Sequence, residues 1–182
     1  PDVAAELTVV TGADGATVDM AAPLLWLSAT PLRSATTIAP VEAAPAFTTA
    51  PPVAWRAPLS GCKPLRGLRV IDLGPYTAGP LAARYLADLG ADVIKVEPPG
   101  GEHSRDWFPR VAHASSYFAN YNCGKRSVEL DRATPDGVAH LKALLGDADI
   151  FIQSMKPGSL ERLGVNIEKL NLVHPSLITC SI

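Results

Sequence analysis

Arg105, Lys125, Arg126, Arg132, Lys156 and Arg162 fall in loops beside segments of strand character. Planar guanidinium forks and flexible ammonium groups both pair with phosphate, so cations gathered at strand ends can neutralise a ligand carrying several phosphates. A solvated surface uses the same residue types in the same places, and on these residues alone both readings stand. A second candidate is the tight segment Gly74-Pro75-Tyr76-Thr77-Ala78-Gly79-Pro80, whose small residues let a ligand approach backbone N–H groups at a helix start. Its glycines do not make the dinucleotide fingerprint G-x-G-x-x-G, and no Gly-Lys-Ser/Thr follows, which disfavours NAD binding and Walker-type phosphate binding. Glu97 closes a strand as a ribose-binding acid would, but without those glycines the match is weak.

Other chemistries find less support. His103, His113, His140 and His174 show no metal-ligand spacing, and no metal site is expected. Ser115, Ser116, Ser154 and Ser181 lack the G-x-S-x-G elbow of a serine hydrolase. Cys62, Cys123 and Cys180 are odd in number and far apart, forming neither a disulfide framework nor a ligand cluster, and a reducing cytoplasm is the simplest setting. Asp72, flanked by apolar residues within a strand, is read as a buried carboxylate accepting backbone hydrogen bonds rather than a catalytic group.

The elements that must position these residues begin near Gly67. Leu68–Leu73 reads as a strand, Leu81, Arg84, Tyr85, Leu86 and Leu89 recur at helical spacing until Gly90, and Asp92–Val96 is a second strand, making one βαβ unit. Ser127–Leu130 reads as a further strand. Thr134-Pro135-Asp136 is a helix start, with Thr134 as cap, Pro135 in the first turn and Asp136 at the positive end of the dipole. Asp149–Ile152 and Leu177–Ile182 read as strands, and Ser159–Leu163 and Ile167–Leu172 as short helices. The expected fold class is α/β, an open and mainly parallel sheet, with ligands beyond the carboxyl ends of its strands.

Upstream, Glu6–Val10 reads as a short strand, Thr11–Gly15 as a turn and Thr17–Ser28 as a helix. Seven prolines in an Ala/Thr-rich stretch mark 31–64 as a linker. The expected organisation is therefore an N-terminal segment over 1–30, that linker, and a domain from 65 to 182. The chain opens Pro1-Asp2-Val3 without Met and closes in a strand-like run, so a processed or excised start and a sheet incomplete at the C-terminus are expected, with a partner needed for solubility. At 182 residues, 47% hydrophobic and 19% charged, the chain can bury a sizeable core. A net charge of -2 offers no electrostatic footprint for nucleic acid, and no apolar stretch reaches the roughly 18–20 residues of a membrane span, so neither partner is expected.

Pro58-Leu59-Ser60, Leu65–Leu73, Ala78-Gly79-Pro80 and above all the run Leu86–Gly101 resemble the opening of the class III CoA-transferases, the formyl-CoA and carnitine CoA-transferase family. Gly124-Lys125-Arg126-Ser127, Leu130-Asp131, Thr134–Gly137, Pro157-Gly158, Leu160–Gly164 and Pro175–Ile178 follow in the family's order, so the resemblance covers about 58–182. It implies a Rossmann-like large domain in an interlocked dimer, with acyl-CoA and a carboxylic acid as partners and no permanently bound cofactor. It also implies coenzyme A contacts at Thr77 and Ala78, at Leu130, Asp131, Arg132 and Ala133, at Ser154, Met155 and Lys156, and at Arg162. The adenine end would lie near Leu130–Ala133 and the phosphates near the basic residues. Thr77 stands where some members carry Gln, Pro75 where some carry His, and Ser154-Met155-Lys156 where Asn-Phe-Arg is frequent, so the thioester end of the pocket is expected to differ from oxalate-specific members.

In the transferases an Asp carries the acyl group and then CoA, dividing the exchange into easier steps. By the resemblance that Asp lies beyond Ile182, so no catalytic residue is expected in this chain and the isolated chain is expected to be inactive. An acyl-CoA racemase, with a His/Asp pair also beyond Ile182, and a non-catalytic scaffold half are the alternatives. Gly12–Met20 faintly resembles a later family element, which would make 1–30 the tail of a preceding unit in a tandem protein.

Overall fold

The computed structural model describes residues 7–11, 17–21, 63–111 and 114–182. In chain order the elements are strands β1 (Leu7–Thr11) and β2 (Thr17–Ala21), β3 (Arg69–Asp72), helix α1 (Ala78–Asp88), β4 (Asp92–Glu97), a 3-10 turn (His103–Asp106), and the short strands β5 (Arg110–Val111) and β6 (Ala114–Ser115). There follow α2 (Ser116–Asn122), β7 (Arg126–Glu129), α3 (Pro135–Gly146), β8 (Ile150–Gln153), α4 (Ser159–Arg162), α5 (Ile167–Val173) and β9 (Ile178–Ser181).

Five strands form one sheet in the order β7-β4-β3-β8-β9, and every neighbouring pair is parallel. The central strands β3, β4 and β8 are buried almost throughout, which is why they read as near-continuous runs rather than as alternating ones, whereas the edge strand β9 is largely exposed. On one face Ile71, Leu73, Ile94, Val96, Val128 and Phe151 pack against Leu141, Leu144 and Leu145 of α3 and Leu160 of α4. On the other, Val70, Val93 and Ile152 meet Ala83 and Ala87 of α1, whose small side chains let the helix lie close to the sheet. Thr134 caps α3 as expected, its hydroxyl accepting from Gly137 N at 3.1 Å, with Pro135 in the first turn and Asp136 in the dipole's favoured place. Among the described residues no helix is long and apolar enough to cross a membrane.

The strands and helices expected from Leu68 to Ile182 are all present, with boundaries moved by one to three residues. The helix expected at Thr17–Ser28 is not. Residues 17–21 form a strand paired antiparallel with β1, Val9 opposite Asp19 and Thr11 opposite Thr17. Gly12 and Gly15 between two β-branched runs are hairpin chemistry, and that local signal outweighs the imperfect helical spacing of Val18 and Leu24. The rest of that span, 22–28, and the proposed linker up to Cys62 lie outside the described residues. Helix α2, the 3-10 turn and the β5–β6 pair have no counterpart in the sequence reading.

Candidate functional site

In chain order the five sheet strands run 3-2-1-4-5, so the chain leaves the carboxyl ends of the neighbours β3 and β8 in a crevice where the strand order reverses. Such a switch point is where open α/β sheets receive ligands. The Gly74–Pro80 loop leaves β3 there and the Ser154–Lys156 segment leaves β8.

Buried charges hold the first loop from below. Asp72 Oδ1 accepts from Gly74 N at 3.0 Å, and its Oδ2 is 2.7 Å from Lys125 Nζ, which also donates to Pro80 O at 2.7 Å. Lys95 Nζ donates to Gly74 O at 2.9 Å and pairs with Glu102 Oε2 at 2.7 Å, while Glu102 Oε1 accepts from Tyr76 N at 3.1 Å. The peptide groups on either side of Pro75 are thus gripped by one ion pair, which holds Tyr76 at φ 66°, a conformation a bulky residue rarely adopts unaided. Beyond the loop, α1 begins at Ala78 with no acidic residue in its first turn and no side-chain cap from Thr77, whose hydroxyl instead meets Tyr117 OH. The positive end of this helix is therefore left without a protein anion in its first turn.

The second loop comes up against the first. A Cβ built on Gly74 would lie 2.8 Å from Ser154 Oγ and 2.9 Å from Gly79 Cα, so two backbones and a hydroxyl meet where only glycine fits. Ser154 Oγ is buried, with no hydrogen-bond partner among the described residues. A buried hydroxyl left unpaired costs free energy, and a polar ligand atom in the crevice would satisfy it. The third expected loop also reaches this edge. Arg132, partly buried so that desolvation lowers its guanidinium pKa from the usual value, donates toward Met155 Sδ at 3.8 Å and joins the Leu130–Ala133 turn to the Ser154–Lys156 segment. That turn is fixed by Asp131 Oδ1 accepting from Ala133 N at 3.0 Å, while Leu130 is buried in the core. Lys156 is exposed, and so is Arg162, which donates to Ser159 Oγ at 2.8 Å.

The six cations singled out from the sequence divide accordingly. Lys125 and Arg105 are not surface cations awaiting phosphate. The first is buried against Asp72, and the second forks onto Glu97, with Nε to Oε2 and Nη2 to Oε1 both at 2.7 Å. Arg126 pairs with Asp92, Nε to Oδ1, at 2.9 Å. Arg132, Lys156 and Arg162 remain beside the crevice loops. Asp72 is the buried acceptor of a backbone N–H that the sequence suggested, with an ion pair in addition. Glu97 is fully buried and held by Arg105, Ser127 and Glu102 N, an arrangement for structure rather than for a ribose.

Sequence reasoning missed Lys95, Glu102 and Asn122 as supports of the loop. It also missed a row of rings beside it. Tyr76 stacks on Trp107 at 5.4 Å, Trp107 meets Tyr117 at 4.9 Å, and Tyr117 meets Tyr121 at 4.8 Å. The spacing of Tyr117 and Tyr121 and the N-cap residue Ser115 were local signals for α2. Among the described residues no group of three or more His, Cys, Asp or Glu side chains is placed to hold a metal ion.

The family model for CoA-transferase family III matches residues 65–182, which is most of the described chain. The chain belongs to this family. Succinate–glutarate CoA-transferase of Agrobacterium fabrum is 42% identical over 127 residues, covering 65% of this chain and 32% of that protein. Human succinyl-CoA:glutarate CoA-transferase is 39% identical over 126 residues, covering 68% and 29%. Among solved structures, a CAIB/BAIF family protein from Brucella suis superposes with a TM-score of 0.62 at 41% identity over 66% of this chain and 33% of its own. The Mycobacterium tuberculosis hypothetical protein Rv3272 gives 0.61 at 41% identity, with 66% and 33% covered. The chain spans about a third of the length of these relatives, and the α/β sheet described above is the part of the family fold it shares with them.

Proposed function

We propose that this chain is the CoA-binding part of an enzyme that moves CoA between an acyl-CoA and a carboxylic acid, with the ligand in the crevice between the loops after β3 and β8. One observation carries the reading: three loops far apart in sequence converge on the carboxyl edge of the sheet, around a buried Ser154 hydroxyl with no partner among the described residues and a helix whose first turn holds no acidic residue. Thr77 and Ala78 would offer backbone N–H groups, Arg132, Lys156 and Arg162 would face phosphates, and the Leu130–Ala133 turn would receive the adenine end. The relatives named by activity are transferases of CoA between carboxylic acids, which favours transfer over racemisation.

The nucleophile is proposed to lie outside residues 1–182. In support, the carboxylates under the crevice are already committed, Asp72 to Lys125, Glu102 to Lys95 and Glu97 to Arg105, and a carboxylate pinned in an ion pair is a poor nucleophile. A second subunit or further chain would supply it. Calorimetric titration of acetyl-CoA into the protein carrying this chain is expected to show saturable binding, weakened in Lys156→Ala and Arg162→Ala. No binding up to about 1 mM, corresponding to less than about 4 kcal/mol, would refute the proposal.

A further inference from the structure

The buried ammonium of Lys125 faces three acceptors at hydrogen-bond distance: Asp72 Oδ2 at 2.7 Å, Pro80 O at 2.7 Å and Asn122 Oδ1 at 2.9 Å. An ammonium has three N–H donors and a neutral amine has two, so this site is matched to the charged form only. Two of the three bonds govern the ligand loop. Asp72, whose charge Lys125 balances, holds Gly74 N where the loop leaves β3, and Lys125 itself holds Pro80 O where the loop has become α1.

We propose that Lys125 is a positioning residue whose ammonium fixes both ends of the Gly74–Pro80 loop in its ligand-receiving shape, so that the site loses affinity when that proton leaves. The inference rests on the CoA-binding reading for its ligand, but not for its geometry. Burial pushes the lysine down to about 8 from its ordinary value, with Lys95 adding to the effect and Asp72 and Glu102 opposing it. On its α2 side lies Cys123, a thiol raised to about 11 by burial and influenced also by Arg84 and Asp88, which therefore stays neutral while Lys125 titrates. As pH rises through about 8 the lysine becomes an amine, one acceptor loses its donor, and the buried pair with Asp72 loses its cation.

The test is the dissociation constant of acetyl-CoA, a ligand with no thiol to titrate, measured from about pH 7 to about pH 9.5 on the wild-type protein and on Lys125→Met. Wild-type affinity is expected to fall about tenfold or more across this range, and Lys125→Met to bind weakly with a flat profile. A flat wild-type profile, or the wild-type fall persisting in Lys125→Met, overturns the inference. If wild type binds no acetyl-CoA at any pH, the CoA-binding reading fails and the loop itself still decides the matter. Amide-exchange protection at Gly74 and Tyr76 should then drop above about pH 8, and protection that is constant with pH overturns the inference. Should Lys125→Met fail to fold, the wild-type profile and the same amides carry the test.

Discussion

Replacing Arg105 by Met is expected to cost about 3–5 kcal/mol of folding stability at neutral pH, because it strands the carboxylate of Glu97 inside the protein. Glu97 is fully buried and receives both arms of the Arg105 fork, the Ser127 hydroxyl and Glu102 N at 2.9 Å. Arg105 also lies 4.0 Å over the Phe118 ring, a contact that Met replaces only in part. The pH dependence gives the effect its signature. Burial alone would raise the Glu97 pKa, but the bonds from Arg105, Ser127 and the Glu102 amide overcome it and hold the carboxyl below its ordinary 4.5. A depressed acid stabilises the fold above its unfolded pKa, and that contribution is lost as pH falls through 4.5 toward the folded value. Without Arg105 burial remains and the sign reverses: the folded pKa rises above 4.5, the group takes up its proton on folding, and the penalty shrinks as the solution is acidified. Urea unfolding at about pH 7 and about pH 4 should therefore show a deficit for Arg105→Met that is smaller at the lower pH. An equal deficit at both would mean that Glu97 is not the group left stranded.

Gly74→Ala is expected to damage the ligand site more than the fold. The added methyl would meet Ser154 Oγ at 2.8 Å, Gly79 Cα at 2.9 Å and Pro80 Cδ at 3.1 Å, so the Gly74–Pro80 loop must open and the Ser154 hydroxyl must give way. Overpacking of this kind costs about 1–3 kcal/mol, and if the strain falls on the bound geometry the affinity for acetyl-CoA drops by about 5- to 150-fold. Ser154→Gly in the same chain removes one of the three clashes and should restore part of the loss, whereas Ser154→Gly alone should weaken binding by deleting the hydroxyl. Calorimetry on the four proteins measures the coupling. Strict additivity of the two changes would show that Gly74 and Ser154 do not bound one site.

The scaffold was legible because local signals agreed. The apolar runs at 70–73, 93–96 and 150–152 are interrupted by Gly79-Pro80 and by Thr134-Pro135, and each break falls where the chain turns from strand to helix. The cations were ambiguous for the opposite reason. Lys125 lies 53 residues from Asp72 in sequence, and nothing near either shows that they share a buried contact, so a lysine in a loop looked like a surface lysine. Arg105 and Glu97 are only eight residues apart, but a Gly-rich turn separates them and no helical spacing relates them. Helix α2 was missed because Tyr, Phe and Asn are indifferent helix formers, although Ser115 caps it by accepting from Phe118 N. In the N-terminal segment, β2 was missed because its five residues are too few for periodicity to separate strand from helix.

The central claim, that the ligand sits at the carboxyl edge of the sheet between the loops after β3 and β8, is tested most directly by hydrogen–deuterium exchange with and without saturating acetyl-CoA. The account predicts added protection in three separated segments, 77–81, 130–134 and 154–159, with the amino ends of the strands, around Arg69 and Asp92, unchanged. Protection confined to any other part of the chain, or a saturated complex in which none of the three segments slows, would contradict it.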